Sequence, residues 1–374
     1  SMKSFISVVS ILLINSQALA QIADSSFFPS VRSINPGVAH QRQQALVSLD
    51  TSKRDIHKDH AVTTGGIVGG VQTDVSLQKN TLFGATKGSW VTLELLADRE
   101  TGDKIEHINS TTYGTRDVTN SATSTYFGGI LDFKLFGLSY ATANYDTFNK
   151  FRVGEPPNVS ANDLHTVLNY QVLKAGTSFN LGGFTFGVFG MKKTSSGDYT
   201  YTYYDPNTGN KGSTEVWPAE SSANGYGVGL GYTNKVFRIE VSSEQMSADD
   251  LTAKDNPLEI IKAAPASSRL SGAIEVRFGK LALGARVRNN VGNFTDLEDL
   301  IPSNLLYGEM GENDSRLETA FNFAYGADKG LTFSVFYSQS ESKTEEESTI
   351  FHNGVKYPAT TKATAYGANV SYYF

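Results

Sequence analysis

Arg238, Arg269, Arg277, Arg286, Arg288 and Arg316 share one phase of an alternating pattern with Glu94, Glu240, Glu275 and Glu318. Guanidinium groups grip carboxylates through two parallel hydrogen bonds. Such a run suits an internal ion-pair network that stiffens a wall or grips an N-terminal segment. It also suits a basic wall that orients anions, and the two are compatible. Charge at membrane depth is expensive unless paired or wetted, so either use needs an enclosed face. Hydrolytic chemistry has little support. No His-x-Ser occurs: His165 precedes Thr166 and Val167, and His107 precedes Ile108 and Asn109. Asp163 and His165 are close in sequence, a pattern commoner in a solvated loop than in a catalytic pair. His57 and His60 have a spacing that begins a metal site on a helix. Here they fall in an expected hairpin with Lys58 between them, so an exposed loop is the reading. No catalytic residue, metal or cofactor is assigned, and the chain is not read as an enzyme. The long connections carry apolar side chains instead. Leu251, Leu258, Ile260 and Ile261 lie in 248–265, and Leu300, Ile301, Leu305 and Leu306 lie in 295–310. Clustered apolar residues on loops form a binding surface or pack on a rim.

The elements that must carry these residues are strands. In 365–374, Tyr366, Ala368, Val370, Tyr372 and Phe374 fall on one side, and Ala365, Gly367, Asn369, Ser371 and Tyr373 on the other. A period of two with one apolar face is a half-buried strand. The same alternation runs through 267–279, 281–294, 313–327 and 330–346, with every charge on one face. Further strands are expected at 43–52, 62–77, 87–98, 119–133, 135–147, 166–181, 184–204, 221–233, 235–247 and 360–374. The total is about fourteen, with twelve or sixteen as alternatives because 104–116 is either another strand or a loop hairpin. Tight turns such as Gly182-Gly183 and Gly279-Lys280 alternate with long connections at 148–165, 205–220, 248–266, 295–312 and 347–359. One rim of tight turns and one of long loops is the arrangement of a membrane barrel. Gly65-Gly66 and Gly69-Gly70 fall inside the second strand. They mark a sharp bend, or a kink that lets a ligand or the N-terminal segment pass.

The ends set the compartment. Lys3, the apolar run Phe5–Ile14 and Ala18-Leu19-Ala20 form a secretory signal over 1–20, behind an added Ser1. Residues 21–42, with Pro29, Pro36 and Gly37, are irregular and are read as a periplasm-side plug. Residues 43–374 are the barrel. The hydrophobic fraction is 39% and mean hydropathy is −0.26. Both are low for helical spans and expected where only alternate residues meet lipid. The chain has no Cys, so no disulfide framework holds it. A net charge of −6 argues against a nucleic-acid partner.

Ser33-Ile34-Asn35-Pro36-Gly37 precedes the first strand, which runs through Ala45-Leu46-Val47-Ser48-Leu49. This resembles the FadL/TodX family of outer-membrane hydrocarbon and fatty-acid transporters, whose N-terminal hatch carries Asn-Pro-Ala before a first strand. Asn35 and Pro36 match, and Gly37 replaces the Ala. The resemblance implies a fourteen-stranded barrel, a plug shaped by Asn35 and Pro36, ligand entry at the outer loops and lateral exit at a kinked strand. The hatch is shorter here, and the charged lumen departs from the apolar path of the family. A chain ending on aromatic Phe374 further resembles proteins read by the barrel-assembly machinery. The fold expected is all-β: a transmembrane antiparallel up-and-down barrel in the outer membrane of a Gram-negative bacterium. Its termini are expected to be periplasmic and its exterior against lipid and lipopolysaccharide. The expected function is passive uptake of hydrophobic or amphiphilic small molecules. Leu258, Ile260, Ile261, Leu300, Ile301, Leu305 and Leu306 are the capture surface, and the arginines hold the plug or meet a headgroup. The alternatives are a porin-like channel for polar or anionic solutes and a structural or adhesive surface protein.

Overall fold

The computed structural model describes residues 45–112, 114–153, 160–205, 207–234, 236–253, 263–292, 315–326, 329–347 and 355–374. Within them one antiparallel sheet contains β1 (Leu46–His60), β2 (Ile67–Ala85), β3 (Thr92–Ser110), β4 (Gly114–Asp132), β5 (Gly137–Val153), β6 (Ser160–Leu181), β7 (Phe184–Tyr204) and β8 (Lys211–Thr233). It continues with β9 (Phe237–Met246), β10 (Asp250–Ala253), β11 (Ser267–Phe278), β12 (Leu281–Val291), β13 (Ser315–Gly326), β14 (Gly330–Glu347) and β15 (Lys356–Tyr373). β9 and β10 are one strand interrupted by a bulge. Both pair with β8, but Met246 lies opposite Gly225 and Asp250 opposite Ser222, one residue out of step. The wall is thus a closed barrel of 14 strands. β1 closes it on β15, from Leu46 opposite Tyr373 to His60 opposite Ala359. At the level of the belt closure leaves no free edge, which is the condition for β structure to sit in lipid. No helix of the described residues is long and apolar enough to cross a membrane.

Side-chain alternation explains the wall. Leu230, Leu283, Phe321, Phe333 and Val335 point out and are exposed, while Ala282, Ala320, Ala324, Thr332 and Ser334 point in and are buried. An exposed apolar surface that encircles a closed wall is stable only against acyl chains. On β15 this belt runs from Tyr366 to Phe374, ~27 Å of strand at about 3.4 Å per residue. The tight turns, the start of β1 and the end of β15 share one rim, as an even strand number requires. Aromatic pairs mark that rim: Phe133 with Phe136 at 5.3 Å and Phe184 with Tyr232 at 4.6 Å.

β1 to β8 overshoot the belt. They are 15 to 23 residues long, where about 9–11 suffice to cross. Above the belt their outer face turns polar, through Asp55, His57 and Asp59 on β1, Asp74 on β2, His107 on β3 and Asp117 on β4. This extension, here called the collar, corrects two expectations and decides between the alternatives of a third. His57 and His60 lie in strand β1, not in a hairpin loop, and they face opposite sides of the wall. The connections expected at 148–165 and 205–220 are largely strand, because β5 runs to Val153, β6 starts at Ser160 and β8 starts at Lys211. Residues 104–116 are the tip of the β3–β4 hairpin and add no strand. In each case polar side chains on both faces erase the hydrophobic alternation while the backbone ladder continues.

The paired glycines bend the wall. Gly65 and Gly66 form a 3-10 turn before β2, with φ of 70° and 68°. Gly69 and Gly70 occupy a bulge between Ile67 and Val71. A Cβ on Gly70 would lie 2.4 Å from the His60 carbonyl oxygen. Only glycine fits that approach at positive φ.

Candidate conduit through the barrel

The barrel interior has two unlike walls. Over β9 to β13 it is charged. Arg238 Nε donates to Glu240 Oε1 at 2.6 Å, and Arg277 Nε to Glu275 Oε1 at 2.5 Å. Arg286 Nη2 meets Glu318 Oε1 at 2.5 Å. Arg269 lies between Glu244, at 3.8 Å, and Asn290, whose Oδ1 accepts at 2.9 Å. The register makes this pattern: Arg238 stands opposite Glu275, Arg269 opposite Glu244 and Arg288 opposite Glu318. Arg316 faces the same interior. A small recess between Arg54, Arg316, Glu318, Ser338, Ser340, Ala363, Thr364 and Ala365 opens beside this wall. Such pairs owe their persistence to geometry, since desolvation offsets much of the Coulomb attraction. Glycines on β8 make room for them. A Cβ on Gly231 would lie 3.3 Å from Glu240 Cγ, and one on Gly227 3.3 Å from Glu244 Cγ.

The facing wall is apolar and aromatic. Ile56 (β1), Val75 and Leu77 (β2), Tyr145 (β5), Leu168 (β6) and Ala363 (β15) form one cluster, with Ala122, Tyr170 and Tyr199 packed on it. Small residues on intervening strands create the space. A Cβ on Gly102 would lie 2.1 Å from Leu77 Cδ2, and one on Gly197 3.0 Å from Leu168 Cδ2. Tyr199 also packs on a second cluster higher in the collar, made of Tyr201, Trp217 and Ala219 with Leu164, Tyr203, Leu251 and Ala253. Tyr201 and Trp217 stack at 5.2 Å and 19°. Through Tyr199 the two clusters form a continuous aromatic-apolar stripe from the collar to mid-barrel. Trp217 Nε1 donates to Glu215 Oε2 at 3.2 Å, so its one polar atom is met.

Two cations stand on this apolar side. Lys174 Nζ lies 5.6 Å from the Phe189 ring centre and Lys193 Nζ 5.4 Å from that of Tyr170. Among the described residues neither has a carboxylate within ion-pair reach. Elsewhere inside, Lys79 meets Asp98 at 3.3 Å and Lys104 meets Glu106 at 2.8 Å. At the top of β1, Lys58 pairs with Glu346 on β14, and His60 Nε2 donates to the Glu346 carbonyl oxygen at 3.1 Å. That clasp ties β1 to β14 across β15.

The candidates taken from sequence divide accordingly. Arg238, Arg269, Arg277, Arg286, Arg288 and Arg316 all face inward, as do Glu94, Glu240, Glu275 and Glu318. Asp163 and His165 do not act together: Tyr204 Oη donates to Asp163 Oδ2 at 2.7 Å, while His165 Nε2 reaches Asp146 at 2.9 Å. Leu258, Ile260, Ile261, Leu300, Ile301, Leu305 and Leu306 lie outside the described residues, as do Asn35, Pro36 and the segments 1–20 and 21–42. The aromatic stripe went unread in the sequence. Its signal was present, in tyrosines that share the inward phase of β5 to β7 with small residues.

No family model and no curated protein matches the chain. Solved structures match along nearly its whole length. A FadL homologue from Pseudomonas aeruginosa superposes with a TM-score of 0.59 at 11% identity, over 96% of this chain and 98% of its own. The Pseudomonas putida toluene transporter TodX gives 0.53 at 10% identity, over 93% and 94%. The Ralstonia pickettii toluene transporter TbuX gives 0.55 at 9% identity, over 92% and 93%. At such low identity the likeness is one of architecture, and by that measure the chain has the fourteen-stranded barrel fold of the FadL- and TodX-type proteins.

Proposed function

We propose that this barrel sits in a bacterial outer membrane, with both termini periplasmic, and passes hydrophobic or amphiphilic small molecules inward without an energy source. The observation that carries the reading is the unbroken aromatic-apolar stripe from Trp217 and Tyr201 through Tyr199 to Tyr145, Leu77 and Ile56. Water gains little along such a surface, whereas an apolar solute exchanges its hydration shell for ring and methyl contacts at every step. The named activity of TodX and TbuX, toluene transport, agrees with this reading. The opposite wall supports it by default. Its arginines face carboxylates, so it offers a dissolved anion less net field than their number suggests.

Lys174 and Lys193 refine the proposal. A cation beside an aromatic ring, with no carboxylate in direct ion-pair contact, is where the anionic end of an amphiphile gains most. In this reading Leu258, Ile260, Ile261, Leu300, Ile301, Leu305 and Leu306 gather solute at the outer loops. Asn35 and Pro36 shape the plug that prevents free leakage. Lipopolysaccharide and lipid surround the belt, and the barrel-assembly machinery engages the strand ending at Phe374.

The test is accumulation of radiolabelled toluene and 4-butylbenzoate by cells carrying the barrel, against cells carrying Leu77→Asp or Tyr199→Asp. Heat-dependent mobility of the extracted protein verifies folding. Either substitution breaks the stripe and should reduce accumulation of both solutes to background. Unchanged accumulation in a folded Leu77→Asp barrel overturns the reading. A large anion-selective conductance of the unaltered protein in planar bilayers would favour the porin alternative.

A further inference from the structure

The outer face of the collar carries a side-chain chain that the conduit does not use. Asp59 Oδ1 lies 3.3 Å from His57 Nε2, and His57 Nδ1 lies 2.7 Å from Asp74 Oδ1. Asp74 Oδ2 lies 3.2 Å from His107 Nε2, and His107 Nδ1 lies 2.8 Å from Asp117 Oδ1. The chain therefore crosses β1, β2, β3 and β4 without a gap. Register places it: His57 stands opposite Asp74, and His107 opposite Asp117.

Each imidazole has a carboxylate against both ring nitrogens. Only the imidazolium form donates from both. A neutral ring would aim one lone pair at a carboxylate oxygen. Protonated, the row sets two positive charges among three negative ones. Neutral, it leaves three carboxylates repelling one another across adjacent strands. Behind this row, on the inner face of the same wall, Val62, Ile67, Val71, Ile108, Val118 and Tyr357 form an apolar cluster.

We propose that the collar formed by β1 to β4 is fastened by protons: the Asp59–His57–Asp74–His107–Asp117 row holds the strands together while both histidines are charged and slackens when they are neutral, loosening the wall that covers the apolar cluster. The neighbours agree. His57 faces Asp59 on its own strand, Asp74 on β2 and Lys362 on β15, while Asp55, one step along β1, is already held by Lys53 at 3.0 Å. His107 faces Asp74 on β2 and Asp117 on β4, and its direct β2 partner is the uncharged Gln72. Among the charged neighbours Lys362 opposes protonation, as does the partial burial of each ring. Hydrogen bonding to Asp74 raises the pKa of His57 above 6.5, and hydrogen bonding to Asp117 does the same for His107. Asp74 is lowered, chiefly by His57. A histidine raised in the folded state contributes its full stabilisation below its unfolded value. That contribution is lost as pH climbs through the raised value. The collar is thus tight at mildly acidic pH and looser at alkaline pH. Since all five side chains are roughly half exposed, solvent limits each contact to less than about fivefold in an opening equilibrium. The row together is expected to change that equilibrium by ~three- to tenfold.

The experiment is hydrogen exchange of the full chain in detergent micelles between pH 6 and pH 9, corrected for intrinsic exchange. It compares amides of 55–60, 71–76, 104–110 and 115–119 with those of 366–373 in the belt. Protection of the collar should fall ~three- to tenfold relative to the belt as pH rises, and His57→Gln with His107→Gln should abolish that step. Equal behaviour of collar and belt, or a step that survives the double substitution, overturns the proposal. If the double variant does not fold, His107→Gln alone and the imidazole titrations of the unaltered protein decide. Both histidines titrating at or below 6.5 also overturns it. No solute enters the measurement, so its outcome is independent of whether the barrel carries hydrophobic molecules.

Discussion

Replacing Lys193 by Met separates a conduit that merely dissolves its cargo from one that also recognises an anionic end. The ammonium group of Lys193 lies over Tyr170, 5.4 Å from the ring centre, with no carboxylate within ion-pair reach among the described residues. An aromatic face contributes about 0.5–2 kcal/mol to a cation, and Asp249 acts on Lys193 only from beyond ion-pair distance. A carboxylate arriving at ~4 Å would gain about 4 kcal/mol at an effective dielectric of roughly 20. Desolvation of both groups consumes part of this. The net worth of a hydrogen bond to a charged group, about 1.5–3 kcal/mol, is the fitting figure. That corresponds to ~10- to 150-fold in affinity. Methionine keeps the length and apolar stem, so the stripe itself survives. The chain offers its own reporter. It has 2 tryptophans, Trp90 at the exposed rim and Trp217 buried in the stripe. In a Trp90→Phe background, Trp217 fluorescence can follow titration with 4-butylbenzoate and with butylbenzene at pH 7.5. Lys193→Met should weaken the benzoate by ~10-fold or more and leave butylbenzene within about twofold. Equal losses for both ligands, or no loss for the benzoate, would refute the assignment of an anion-accepting role to this side chain.

Two further outcomes follow from the walls of the barrel. Arg286→Met removes one of the contacts of Glu318, at 2.5 Å, leaves Arg288 across the ladder, and should destabilise the barrel in urea by ~1.5–3 kcal/mol. Adding Glu318→Met should recover most of that loss, and no recovery would mean that the pair is not the principal partner of either group. On the outer surface, Val335→Arg places a charge against acyl chains and should cost about 2–4 kcal/mol in lipid vesicles near the midplane. A cost below ~1 kcal/mol would show that Val335 lies at the interface, not in the belt.

Legibility followed the apolar belt. β11 to β15 appear in the sequence within a few residues of their ends, because lipid outside and polar groups inside impose a strict alternation. The polar phase of these strands carries Arg269, Glu275, Arg277, Arg286, Arg288 and Arg316, all of them buried. β1 and β3 read short because their upper halves leave the lipid, whereas the expectation for β2, 62–77, covers its upper half and misses its lower end at Ala85. His57 and His107 occupy the outer face above the belt, where a reading that follows hydrophobicity stops. Hydrophobicity therefore places a hairpin at His57–His60, although the backbone there continues the ladder. The aromatic stripe was hidden for a different reason. Tyr145, Leu168, Tyr199 and Trp217 sit on four strands, and each is unremarkable in its own.

The sequence by itself determined that the chain is β and that about fourteen strands share the work. Those properties are local, since a period of two needs no knowledge of neighbours. Tertiary structure alone decided which charges meet which and where grease lines the interior. It also decided that His57 and His107 join one carboxylate row. These depend on register and on the closure of β1 against β15, a pairing between Leu46 and Tyr373. A slip of one residue in that ladder would turn every inward group outward.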